Sequence, residues 1–205
     1  GTGRRFSLLY VDTWPATRTR ELKLALSALA TDLQLYVAEH ARRRLFLHAG
    51  VVGWRGRAIL VPGRSMSGKS TLVAALVRAG ATYYSDEYAV LDSAGRVRPY
   101  PKALSIRRHH AEAPLSVRPE DLGGVAGVRP LPVGLVVFGT YRQGAVWKPS
   151  VLSPGQAAMA LLSHTVAARR RPRAALSTLS KVVSKARVLK GLRGEAADLA
   201  PALLE

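Results

Sequence analysis

The chain reads as an α/β fold on a mixed sheet, with a glycine-rich turn between a strand and a helix and a helical C-terminus. Three observations predict it. Residues 57–61, Arg-Ala-Ile-Leu-Val, form a short apolar run of the kind that makes a buried strand. A Gly/Ser-rich octet follows, and residues 71–79 then carry apolar side chains at helical spacing. Strand-like runs alternate with helical periods along most of the remaining chain. With 205 residues, 48% of them hydrophobic, the chain is long enough for one such domain and short for two. One domain over 1–205 is the expectation.

The elements follow in order. Residues 6–11 look like a short opening strand. Pro15 and the Thr17/Thr19 pair lead into a helix to about Ala41, with Leu22, Leu26, Leu29, Leu33 and Val37 at helical spacing. Residues 45–52 are strand-like and end in a turn around 54–56. The helix after the octet stops at Gly80, a C-cap glycine. Residues 81–87 make the next strand, closing in two acids, and 88–92 and 96–100 flank a hairpin turn at 93–95. From 101 to 132 the chain is rich in Pro, Gly, Arg and His, and reads as mostly loop. Residues 133–138 are another buried strand. Ser153, Pro154 and Gln156 spell a helix start, with N-cap, first-turn proline and capping-box glutamine, for a helix to about Val166. The segment 173–189 places Leu176, Leu179, Val183, Ala186 and Leu189 on one helical face. There is no internal repeat and no linker.

The net charge is +18, from 31 basic and 13 acidic residues. Such a field attracts polyanions, but much of the excess is arginine, so charge is permissive and no more. No run of about 18 apolar residues appears, so no membrane span is expected. The absence of cysteine and of an apolar signal core behind Gly1 suits a cytoplasmic protein.

The octet is Gly63-Arg64-Ser65-Met66-Ser67-Gly68-Lys69-Ser70, a complete G-x-x-x-x-G-K-[ST] P-loop between strand and helix. Its glycines let successive backbone N–H groups turn inward around a polyphosphate, and the helix that Thr71 continues adds partial positive charge. Lys69 is expected to reach the β/γ-phosphates and Ser70 to complete a Mg²⁺ shell. ATP or another nucleoside triphosphate with Mg²⁺ is therefore expected.

A carboxylate at the end of the strand beside such a loop serves the metal or an attacking hydroxyl; Asp86 and Glu87 stand there. His48 lies fifteen residues before Gly63. If its strand neighbours the loop strand, His48 and Asp86 approach the γ-phosphate from one sheet edge.

His48, the loop 63–70 and the Asp86-Glu87 pair resemble, in order and separation, the catalytic domain of bacterial HPr kinase/phosphorylase, in the group with a phosphoenolpyruvate-carboxykinase-like fold. The resemblance covers 45–90 well and the remainder loosely. It implies that Lys69 binds the β/γ-phosphates and Ser70 holds Mg²⁺, that Asp86 is the base or orients the nucleophile with help from His48, and that Glu87 sits near the metal. Here Ala49 follows the histidine where the family has glycine, and Glu87 replaces a second aspartate. The family's later glycine-rich signature is missing, which favours kinase over phosphorylase chemistry. The chain looks more like short stand-alone relatives, some of which phosphorylate a serine of a precursor peptide such as a lasso-peptide precursor. The larger relatives' hexamers make a homo-oligomer an open expectation.

Arg107 and Arg142 are candidates for neutralising charge on a transferring phosphoryl group, although in so arginine-rich a chain the surface role is the more ordinary reading for each. His109-His110 lack a spaced third ligand and read as loop histidines. The basic stretch 169–173, with Lys181, Lys185, Arg187 and Lys190 beyond it, reads as a solvated helix face or as a dock for a polyanion. Aromatic residues do not interleave with it, which argues against single-strand stacking; nucleic acid is not an expected partner.

These readings converge on a kinase that moves the γ-phosphate of a nucleoside triphosphate to a hydroxyl, most naturally a serine of a peptide or protein. The alternatives are a nucleic-acid-stimulated NTPase, a kinase of free serine or a sugar, and a nucleotide-binding module without turnover. His48, Lys69 and Asp86 together count against the last.

Overall fold

The computed structural model describes residues 5–11, 13–64, 66–106 and 115–205. The chain clusters into two compact units, Gly1–Ala41 and Arg42–Glu205.

In the first, β1 (Ser7–Val11) and β2 (Trp14–Thr19) form an antiparallel hairpin with a bulge at Leu9/Tyr10. Helix α1 (Leu22–His40) packs against it, with Ala25 and Ala38 buried. The predicted stripe of Leu22, Leu26, Leu29, Leu33 and Val37 is exposed. Leu24, Leu35 and Tyr36 are exposed too, so apolar residues surround much of this helix and one small hairpin covers only part of them.

The second unit contains the loop. Strand β3 (Leu45–Trp54) turns at Arg55 and Gly56, both at positive φ (46° and 76°), into β4 (Arg57–Pro62). Two positive φ values at a two-residue turn are the hairpin geometry that matches strand twist. Helix α2 (Lys69–Arg78) follows the glycine loop and ends before Gly80 at φ 99°. Then come β5 (Thr82–Ser85), β6 (Tyr88–Leu91) and β7 (Arg96–Arg98). The stretch expected to be mostly loop holds a small hairpin, β8 (Leu104–Ile106) with β9 (Leu115–Val117), and a 3₁₀ turn at Pro119–Leu122. After it run β10 (Leu131–Tyr141), β11 (Ser150–Val151), α3 (Pro154–Leu162), α4 (Pro172–Val183), β12 (Arg187–Arg193) and α5 (Ala196–Leu204).

The sheet is mixed, in the order β11-β12-β10-β4-β3-β6-β7, with β5 on β3. Strand β10 is parallel to both β4 and β12, whereas β3 is antiparallel to β4. The start of β10 also pairs with β7, so the order closes on itself through this long strand. One apolar layer, including Leu47, Leu60, Leu161 and Leu179, lies between sheet and α3/α4. The other, including Ile59, Leu72, Leu76 and Leu199, lies under α2 and α5.

Two sequence expectations change at the C-terminus. The helix predicted to Leu189 stops at Val183, and 187–193 is a strand. Its backbone gains a parallel partner in β10 and an antiparallel one in β11, and such pairing overrides local helical spacing. Val188 and Leu189 are buried as strand residues. Helix α5, with Pro201 inside it, makes the C-terminus helical as expected, but in a segment to which the sequence assigned no helix of its own.

Candidate active site

Because β4, β10 and β12 run parallel, their C-terminal ends share one sheet edge, and the loop 63–68 leaves β4 there. Ligands gather at such edges in α/β sheets. Two residues of the loop adopt the left-handed conformation, Met66 at φ 65° and Gly68 at φ 78°. At Gly68 a Cβ would lie 2.3 Å from Arg193 Nη2, so any side chain there would have to displace the guanidinium and adopt a strained φ. At Gly63 a Cβ would lie 2.5 Å from Ser67 Oγ. Lys69 opens α2 and folds back, its Nζ donating to Arg64 O at 2.6 Å. Burial lowers the Lys69 pKa, against the pull of Asp86 and Glu87. An ammonium has three N–H donors, so the bond to Arg64 leaves two.

The carboxylates stand where β3 changes partner. Its residues 51–53 pair with β5 and its residues 45–48 with β6. Asp86 and Glu87 form the step between those strands. Buried Ser85 shapes the step, its Oγ accepting from the N–H groups of Glu87 (3.2 Å) and Tyr88 (3.1 Å). Asp86 is buried. Its Oδ2 accepts from Ser70 Oγ (3.0 Å) and the Ser105 N–H (2.8 Å), and Oδ1 lies 3.4 Å from the Tyr83 hydroxyl. That hydroxyl donates its one proton to Lys102 O at 2.5 Å. Burial, then the Asp86 charge, push the Tyr83 phenol far up. Glu87 is half-buried and meets Lys102 Nζ at 2.8 Å.

His48 is exposed within an otherwise buried strand. Its carbonyl accepts from the Gly63 N–H (3.2 Å), which ties the strand to the first loop glycine. Its ring lies 4.9 Å from that of Tyr88. Burial of the ring, then the Lys69 charge, lower its pKa. Beyond Gly63 the place of β4 beside β3 is taken by residues 164–166. There the His48 N–H donates to His164 O (2.8 Å) and Leu47 bridges Thr165. His164 is thereby brought to the loop, and its pKa is lowered by burial and by Lys69, His48 and Arg64.

The structure thus gathers His48, Lys69, Ser70, Asp86 and Glu87 around the loop that holds Gly63, Arg64, Met66, Ser67 and Gly68. Thr71 sits exposed in the first turn of α2. Arg142 is exposed after β10 and donates its backbone N–H to Arg193 O. Ser65, Arg107 and His109-His110 lie outside the described residues.

Sequence reasoning missed Arg193. Its guanidinium is buried beneath the loop and donates to the carbonyls of Ser67 (3.3 Å), Gly68 (3.1 Å) and Gly194 (3.2 Å). It lies over the Tyr141 ring at 5.4 Å, and Gly139 leaves it room. No local signal marked it, because the sequence around it read as the end of a helix and only the pairing of β12 with β10 brings it to the loop's edge. A cavity of about 340 Å³ lies at the other end of β3, bounded by Trp54, Tyr84, Arg129 and Leu131. It has no histidine or carboxylate in its wall.

No protein-family model matches the chain, and no curated protein matches it. Among solved structures it is similar to the Hpr(Ser) kinase/phosphatase from Coxiella burnetii. That match covers 78% of this chain and 91% of that chain at 16% identity, with a TM-score of 0.39. Among the described residues, no helix is long and apolar enough to cross a membrane.

Proposed function

We propose that the protein is a kinase that transfers the γ-phosphate of a nucleoside triphosphate, ATP in the first instance, to the hydroxyl of a serine in a peptide or protein. The observation that carries this reading is the Ser70 Oγ–Asp86 Oδ2 contact at the head of α2, with Lys69 and His48 beside it. The motif order His48, loop 63–70, Asp86-Glu87, with its resemblance to the HPr kinase family, supports it.

Each residue has a part. The loop amides and Lys69 bind the phosphates by hydrogen bonds and charge. Ser70 donates its proton to Asp86, which leaves the hydroxyl lone pairs facing outward, a hard oxygen donor suited to Mg²⁺. Ser70 and Glu87 would hold that ion. When bound, Mg²⁺ supplies positive charge to the phosphate oxygens. Asp86 orients the acceptor hydroxyl and takes its proton as the serine oxygen bonds to the γ-phosphorus and the β–γ bridging bond breaks to release ADP. His48, its pKa lowered by burial and Lys69, would enter the reaction as a neutral imidazole able to accept a hydrogen bond at the same edge.

The test is acceptor-dependent ADP release with Mg²⁺ and ATP. A serine-containing peptide should accelerate it, and the same peptide with alanine for serine should not. Equal rates with both peptides would reject transfer to a hydroxyl.

A further inference from the structure

Two arginine runs distant in sequence meet at one end of β3. Residues 42–44 are all arginine and enter the strand; residues 169–173 hold four more arginines around Pro172. The meeting is built by the backbone. Leu47 bridges Thr165 in antiparallel fashion, the Val166 N–H donates to Phe46 O (3.0 Å), and the chain continues from there alongside the start of β3. The Arg171 guanidinium then donates to Arg42 O at 2.5 Å and fastens the runs together. Arg42, Arg43, Arg169 and Arg173 are exposed. Neither run contains an acid. The register Leu45↔Leu91 brings Asp92 nearby, but Asp92 is buried and engaged by Arg96 (3.1 Å) and Arg98 (3.6 Å).

The same strand leads to His48. Arg44 stands four positions before His48, about 13 Å at roughly 3.3 Å per strand residue. Between them Phe46 shares the face of His48 by strand alternation and packs edge-on against Tyr88 and Tyr100. An extended peptide with its serine at Asp86 and His48 therefore reaches the arginine runs about four residues away.

We propose that the two runs are a docking surface for an acidic segment of a peptide substrate, with acids three to five residues from the serine. Guanidinium groups recognise carboxylates through paired, charge-assisted hydrogen bonds. Nucleic acid fits less well. No aromatic side chain interleaves with the arginines to stack bases, and the arginines lie in two short turns and the very start of α4, not along the length of a helix or ribbon that enters a groove. The proposal rests on the kinase reading for its serine, but the docking itself is measurable without turnover.

The experiment is fluorescence anisotropy, without nucleotide, of a labelled serine peptide carrying three glutamates at that spacing, on either side of the serine, and of its glutamine counterpart. The acidic peptide should bind at least tenfold more tightly. The triple variant Arg43→Ala/Arg169→Ala/Arg173→Ala should erase the gap, and Arg57→Ala/Arg78→Ala/Arg129→Ala, away from the runs, should preserve it. Equal binding of the two peptides, or equal loss in both triple variants, overturns the proposal. So does an oligonucleotide that binds the runs more tightly than the acidic peptide and loses that binding in the first variant. ADP release by the same preparations is scored separately, so a protein that binds the acidic peptide yet never turns over ATP refutes the kinase reading and leaves the docking surface standing.

Discussion

Asp86 can be altered in two ways that separate chemistry from folding. In Asp86→Asn the amide keeps one carbonyl oxygen for Ser70 Oγ and the Ser105 N–H, and its N–H₂ faces the Tyr83 hydroxyl, whose oxygen can accept. The loss is the charge-assisted share of two hydrogen bonds, about 1 kcal/mol in all. Asp86→Ala strips partners from two part-buried donors, at about 1–1.5 kcal/mol each, or roughly 2–3 kcal/mol. At about 2–4 °C per kcal/mol for a chain of this size, Tm should fall by no more than about 4 °C in the first variant and by roughly 4–12 °C in the second. Transfer should fall by about 10²–10⁴ in both, since the amide cannot take a proton. Calorimetry and a steady-state transfer assay on the same preparations decide it. An Asp86→Asn protein within tenfold of the parent rate would refute the role of Asp86. So would a rate loss in that variant that merely tracks a large fall in Tm.

Gly68→Ala should abolish the rise in Tm that ATP confers, because alanine meets both a φ of 78° and the Arg193 guanidinium. Gly56→Ala is the matched control, with φ 76° and open space around it, and should cost about 1–2 kcal/mol of turn strain while keeping the nucleotide response. Arg193→Met should raise KM for ATP at least tenfold by freeing the carbonyls of Ser67 and Gly68, with Arg193→Lys intermediate; unchanged KM in both would remove Arg193 from the loop's support. The lowered pKa values of His48 and His164 mean that below about 6.5 the unfolded chain takes up protons that the folded rings resist. Stability should therefore decline as pH falls from about 7 to about 5, and His48→Gln/His164→Gln should flatten that decline; a parent Tm that rises on acidification would contradict this.

What the sequence revealed was local. The loop, the strand before it, the helix after it and the acid pair at the next strand end lie within a few tens of residues, and their spacing encodes their meeting. Ser153 and Gln156 likewise announced α3, and both halves of their capping box form. What stayed hidden depends on pairing across the chain. Arg193 reaches Gly68 over 125 residues of sequence, and only the parallel alignment of β12 with β10 aims it at the loop. His164 arrives through a bridge to β3, and the Ser105 N–H through the turn that follows Tyr100, neither with a pattern of its own. The 187–189 stretch read as the end of a helix, and pairing with β10 and β11 made 187–193 a strand instead.

The decisive measurement follows the γ-phosphate itself. Incubated with Mg²⁺, γ-labelled ATP and a serine peptide, the protein should move label onto the serine, found as phosphoserine by mass spectrometry, and Lys69→Ala should lose that transfer. Label that appears only as inorganic phosphate, at a rate indifferent to peptide, would contradict the assignment of this site to a serine kinase.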